Sequence, residues 1–202
     1  MRELSLAAIA VAGLALSAAA VAADAKLLQT CNDCHGDNGL SQSQDVPSIA
    51  GISASVIEGA LTAFKAKELP CAKVSYKHGD TKRPQTDMCS VAGGLSDAQK
   101  KDLAAHYSKL PYKSMQQTVD AAKVAEGKKI HARDCESCHS KGGSDPADDA
   151  SILKGQPLGY LKAALADCKA GKREMDKKMK DKIGKLSAAD LEALANFYAS
   201  GT

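Results

Sequence analysis

Val56, Ile57, Ala60, Leu61 and Phe64 recur at the spacing that gathers apolar side chains on one face of a helix. The stretch 158–170 repeats that spacing, so amphipathic helices are predicted over 53–67 and 158–170. Further helices are predicted over 25–34, 97–109, 119–138 and 188–199. Leu95-Ser96-Asp97 and Leu186-Ser187-Ala188 supply N-cap signals for two of them, and Asp190-Leu191-Glu192 suits an acidic first turn. Gly36, Gly39, Pro47, Gly142, Gly143 and Pro146 punctuate loops, and a connector is expected from Pro111 to Thr118. No alternating strand pattern is present, so the expected fold is all-α.

The first 23 residues read differently. Arg2, the apolar run Leu4 to Leu16 and the small-residue stretch Ala20-Val21-Ala22-Ala23 have the order of a secretory signal peptide. The run is short for a spanning helix and lacks a basic stop-transfer flank. A retained membrane anchor is the alternative, since the positive end is poor. With cleavage the mature chain starts near Asp24, has no integral membrane segment and works in the periplasm, an oxidising compartment.

An internal repeat organises the rest. Cys31-Asn32-Asp33-Cys34-His35 and Cys135-Glu136-Ser137-Cys138-His139 lie 104 residues apart. The same offset maps Ser48-Ile49-Ala50-Gly51 onto Ile152-Leu153-Lys154-Gly155, and Leu61 onto Leu165. Downstream the offset becomes 91, pairing Met88 with Met179, Leu95-Ser96 with Leu186-Ser187, Leu103 with Leu194 and Tyr107 with Tyr198. The first copy therefore holds 13 extra residues between Lys67 and Met88, an insertion around 68–87. Two copies at this period mean duplicated domains, 24–112 and 113–202, and not a solenoid.

Cys-x-x-Cys-His is the attachment signature of c-type haem. On a helix, positions i, i+3 and i+4 share a face. Cys31, Cys34 and His35 can therefore meet one macrocycle edge, and so can Cys135, Cys138 and His139. The cysteines would form thioethers and the histidines would bind iron. Zinc is a poor reading, because each site lacks two further matched ligands. Composition points the same way. The chain has no Trp, two Phe and five Tyr, and aromatic side chains usually dominate core energetics. Two covalently bound haem c groups would fill that gap, so the haem-free chain is expected to be largely unfolded.

What fills the sixth iron position decides the chemistry. Met88 and Met179 stand at equivalent repeat positions, and Met/His ligation raises the reduction potential while closing the iron to substrates. Their bland reading is core filling. Met175 competes with Met179 but has no counterpart in the first copy. His78 sits in the insertion and reads as a surface residue, with ligation of the first iron as the alternative. His106 aligns with Phe197 and reads as packing, as does His131 on its helix, with contact to the haem edge as the alternative. Cys71 and Cys89 are expected to form a disulfide, against free thiols or a Cys89 thiolate ligand. Such a bridge stabilises by about 3 kcal/mol on the chain-entropy model. Cys168 aligns with Phe64 and reads as a buried core thiol.

Charge changes the picture only in the second half. Residues 24–112 carry ten basic and ten acidic side chains, and residues 113–202 carry 16 and 13. The basic residues are interleaved with acids and lack interleaved aromatics, so no nucleic-acid partner is expected. Lys169, Lys172, Arg173, Lys177, Lys178, Lys180, Lys182 and Lys185 cluster around Met179 against Glu174, Asp176 and Asp181. That stretch reads either as a surface steering an acidic partner or as a solvated helix face.

With these residues in view, the chain resembles the two-domain dihaem c-type cytochromes of the c4 type, and more closely the cytochrome subunit of flavocytochrome c sulfide dehydrogenase. The likeness spans nearly the whole mature chain. It is sharpest from Cys135 to His139, over Gly142-Gly143, Ile152 to Gln156, Tyr160-Leu161, Arg173 to Met179 and Phe197 to Ser200. It implies two tandem cytochrome-c-like domains packed with pseudo-twofold symmetry and an electron-carrier role. It also places the axial methionines on Met88 and Met179, and implies electron acceptance from a separate FAD-containing sulfide dehydrogenase subunit. The insertion with Cys71 departs from that subunit's pattern. The alternatives are a free-standing shuttle to a terminal oxidase, a partner of a thiosulfate dehydrogenase and, in another class, a dihaem enzyme acting as a peroxidase or on thiosulfate.

Overall fold

The computed structural model describes residues 24–202; the segment read as a signal peptide lies outside them. Nine α-helices and two one-turn 3-10 helices are present among the described residues. In the first half the α-helices are α1 (Ala25–His35), α2 (Ala54–Lys65), α3 (Met88–Gly93) and α4 (Asp97–Tyr107). In the second half they are α5 (Ala121–Asp134), the one-turn α6 (Ser140–Gly143), α7 (Leu158–Lys169), α8 (Lys177–Ile183) and α9 (Ala188–Ser200). Among the described residues there is no strand. The single isolated β-bridge, Val74 with Thr86, lies in the insertion. None of these helices is long and apolar enough to cross a membrane.

The duplication is visible bond by bond. Gly39 O accepts from Ile49 and Ala50 N at 2.8 and 3.2 Å, and Gly143 O accepts from Leu153 and Lys154 N at the same distances. Gly51 N donates to Tyr107 O, as Gly155 N does to Tyr198 O. Lys65 Nζ reaches Leu95 O and its counterpart Lys169 Nζ reaches Gly184 O, each at 2.7 Å, although the second acceptor lies two residues before Leu186, the equivalent of Leu95. Ser96 with Gln99 and Ser187 with Asp190 form matching capping boxes at the starts of α4 and α9.

Each half has its own core. Ile57, Leu61, Leu95, Leu103 and Tyr107 pack the first, and Ile130, Leu161, Leu165, Leu194 and Phe197 the second. Cys168 is buried in the second core, where the sequence placed it. Helix α5 crosses α9 so closely that a Cβ on Gly127 would lie 2.2 Å from Ala193 O, so only glycine fits the crossing.

One helix ends earlier than expected. The apolar pattern predicts helix through Cys138, but α5 stops at Asp134. The N–H groups of Cys135 and Glu136 both turn back to His131 O, and the Glu136 carboxylate closes on His131 Nε2. That local closure competes with another helical turn. The short helices α3 and α8, each bearing a candidate methionine, were not anticipated.

The connector, residues 108–120, binds the halves together. Tyr112 Oη donates to Lys154 O at 2.7 Å, Met115 N to Gly155 O at 2.9 Å, and Gln117 Nε2 to Gln156 O at 2.8 Å. Beneath it, Ser48 N donates to Gln156 Oε1 and Gln156 Nε2 donates to Ser48 O, at 2.8 and 2.9 Å. Both residues are buried, so neither half can leave without stranding these groups. Ile152 of the second half is counted in the first core.

Candidate haem sites

The first site is built on the last turn of α1. Cys31 and Cys34 are half-buried and His35 is buried, all within one helical turn. His35 Nδ1 lies 2.8 Å from Pro47 O. Only a protonated Nδ1 can donate to a carbonyl, so the Nε2 lone pair is left for a metal. Burial also lowers the His35 pKa, which holds the ring neutral. Burial pushes Cys31 up to about 11 and raises Cys34 as well, the reverse of an activated thiolate.

These three residues open onto a cavity of about 260 Å³. Ile57, Leu61, Phe64, Leu95 and Leu103 form its apolar wall, and Met88, the first residue of α3, also lines it. The insertion closes one side with Pro70, Ala72, Val74 and Tyr76. Two attachment thiols, a neutral imidazole, a thioether and an apolar wall make a donor set that fits a covalently held haem.

The insertion is tied down at both ends. Cys71 and Cys89 form a disulfide with Cα atoms 5.5 Å apart, so Cys89 is no thiolate ligand. Lys77 N and His78 N donate to Asp33 O at 2.8 and 2.9 Å. Arg83 pairs with the Asp33 carboxylate and stacks on the Tyr76 ring at 3.6 Å. Burial would raise the Asp33 pKa, but hydrogen bonds from Gln29 and Arg83 hold it below the ordinary value. Asp87 caps α3 through Ser90 N at 2.7 Å, and its hydrogen bond from Lys73 brings its pKa down to about 2. Met88 therefore sits between a charged cap and a disulfide.

Replacing Cys71 by Ser together with Cys89 by Ala should cost the first half about 3 kcal/mol, given a sequence separation of 18. Urea unfolding followed at each haem band checks this: the first-half transition should move to lower urea and the second should stay.

The second site is more open. Cys135 is half-buried at the end of α5, Cys138 is exposed and His139 is half-buried. His139 Nδ1 is buried without a hydrogen-bond partner among the described residues, and burial lowers the His139 pKa. Met179 in α8 is half-buried and packs against the second core beside Met175, also half-buried.

The remaining histidines are accounted for. His131 is buried, with Nδ1 2.9 Å from Tyr198 Oη and Nε2 on Glu136, so neither nitrogen is free for iron or for a substrate proton. This pairing of His131 with Glu136 of the second motif was not legible in the sequence. His106 packs edge-on against Tyr107 at 5.1 Å. His78 is exposed and does not line the first cavity. Sequence reasoning also missed the second-half residues that wall the first cavity, among them Tyr160, Asp167 and Arg173. In the basic stretch, Lys177 pairs with Asp181 and Lys182 with Asp134, while Lys178, Lys180 and Lys185 are exposed without an ion-pair partner among the described residues.

Residues 21–110 match the family described as cytochrome c, and residues 122–197 match that described as cytochrome C oxidase, cbb3-type, subunit III. Cytochrome c4 of Stutzerimonas stutzeri is 27% identical over 201 residues, covering 94% of this chain and 92% of its own. The thiosulfate dehydrogenase electron acceptor of Thiomonas intermedia (strain K12) is 27% identical over 157 residues, covering 73% of this chain and 66% of its own. The crystal structure of reduced recombinant cytochrome c4 from Pseudomonas stutzeri aligns with a TM-score of 0.69 at 26% identity, over 88% of this chain and 97% of that one.

Proposed function

The chain belongs to the dihaem c-type cytochromes of the c4 family, electron carriers with two cytochrome c domains and two covalently bound haem c groups, and on that premise we propose which residues hold the haems and what feeds them electrons. Cys31, Cys34 and His35 with Met88 serve domain 24–112, and Cys135, Cys138 and His139 with Met179 serve domain 113–202. Bound haem supplies a one-electron iron couple at each site.

The chain's own residues do the rest. Pro47 O orients His35, the wall from Ile57 to Leu103 and the insertion keep water from the first site, and the Ser48–Gln156 pair fixes the domains against each other. The observation that carries the reading is the first site's pairing of a neutral imidazole and a thioether along one apolar cavity. Such a site exchanges electrons without admitting a substrate.

The protein works in the periplasm, and its donor is the FAD-containing subunit of a sulfide dehydrogenase. The resemblance of residues 135–200 to that enzyme's cytochrome subunit supports this. A thiosulfate dehydrogenase is the second reading, favoured by the relative named as its electron acceptor. Stopped-flow mixing of the oxidised holoprotein with each enzyme and its substrate tests them. Fast sulfide-dependent reduction and co-elution with the flavin subunit are expected. Fast reduction by thiosulfate dehydrogenase alone would replace the first donor with the second, and slow reduction by both would remove sulfur oxidation from the reading.

A further inference from the structure

The wall of the first cavity is not made by the first domain alone. Tyr160 and Ala163 from α7, and Arg173 from the segment between α7 and α8, reach it from the second domain. The charges on this wall are lopsided. It carries three carboxylates, Asp45, Asp87 and Asp167, and among the described residues one cationic side chain, Arg173. Asp45 is paired with Lys77 at 2.8 Å and Asp87 with Lys73 at 2.5 Å, and Asp167 lies 3.9 Å from Lys172. Arg173 is half-buried yet forms no ion pair or side-chain hydrogen bond with any described residue. The Tyr160 hydroxyl, on the same wall and half-buried, likewise makes no hydrogen bond to a described residue.

A guanidinium left partly desolvated beside an apolar cavity, with no carboxylate of its own, needs an anion. Haem brings two, its propionates, and the planar fork of arginine matches a carboxylate in two parallel hydrogen bonds. We propose that Arg173 is a cross-domain positioning residue that pairs with a propionate of the haem held by Cys31 and Cys34, with the Tyr160 hydroxyl as a second donor. The second domain thus completes the first domain's haem site and sets its charge.

The electrostatic consequence has a definite sign. Ferric iron carries one more positive charge than ferrous, so a fixed cation nearby disfavours the oxidised state. Removing it also leaves an unpaired propionate, whose negative charge favours the oxidised state. Both effects lower the first haem's potential. The inference rests on haem attachment at Cys31 and Cys34, which a pyridine haemochromogen count of two haems per chain reads separately.

Spectroelectrochemistry of the holoprotein tests the pairing. The two one-electron waves are assigned by NMR, the first haem being the one whose methyl groups give NOEs to the Phe64 ring. In Arg173→Gln, the reduction equilibrium of the first haem should fall about tenfold, ~59 mV for one electron, while the second haem moves less than twofold. Lys178→Gln removes an exposed charge from the same domain and should leave the first haem within twofold. Arg173→Lys, which keeps the charge but not the fork, should restore at least half of the shift. An unmoved first haem in Arg173→Gln, a shift confined to the second haem, or a lysine variant as low as the glutamine variant would overturn the proposal.

Discussion

Met88→Ala converts one of the two haems from low to high spin and lowers its potential, and Met179→Ala does the same to the other. The weak far-red charge-transfer band of methionine-ligated ferric haem should halve in each single variant and vanish in the double. Axial ligands set haem potentials over about 0.8 V, so losing a thioether should lower the affected wave by on the order of 100 mV or more. The case is strongest for Met88. It faces the cavity holding His35, opens α3 under the Asp87 cap and precedes the disulfide-bonded Cys89. Met179 stands third in α8, four residues after Met175, and both pack against the second core. Met175→Ala separates the two: it should leave both bands intact. A high-spin haem in Met175→Ala with none in Met179→Ala would transfer the ligand role to Met175.

Much of this architecture was legible because it is local or repeated. The apolar spacing over 53–67 places α2, and Ser96 and Ser187 mark helix starts by their own hydroxyls. The Cys71–Cys89 pairing was legible once the two motifs had taken four thiols and the alignment of Cys168 with Phe64 had assigned a third to the core. What stayed hidden depends on contacts between distant segments. The end of α5 is decided by Glu136 folding back onto His131, a contact no helical period encodes. The lock on the first motif runs from Lys77 and His78 amides to Asp33 O, and a backbone acceptor leaves no trace in a side-chain pattern. Arg173 looked like one more cation in a basic stretch. Its place in the first cavity follows from how the domains dock, which Ser48 and Gln156 determine across 108 residues of chain.

A chain that never acquires haem in its first domain should not hold that domain together. Cys31→Ser with Cys34→Ser, expressed without attachment at that motif, leaves a cavity of about 260 Å³ to be carried empty or collapsed. At about 24 cal/mol per Å³, an empty cavity of that size costs on the order of 6 kcal/mol. Whole domains are stable by only about 5–15 kcal/mol. The first domain has little to set against the loss. Phe64 is its only Phe, and its core side chains Ile57, Leu61, Leu95 and Leu103 all line the void. Collapse would drive His35 and the carboxylates Asp45 and Asp87 into apolar contact, which the carboxylate charges and the hydrogen bonds of all three oppose. Far-UV circular dichroism should therefore show loss of roughly the helix of α1 to α4, with α5 to α9 retained on the intact second haem. Domain-resolved hydrogen exchange should find residues 24–112 unprotected. A variant that keeps full helix content and first-domain protection would show that the cavity wall is stable by itself.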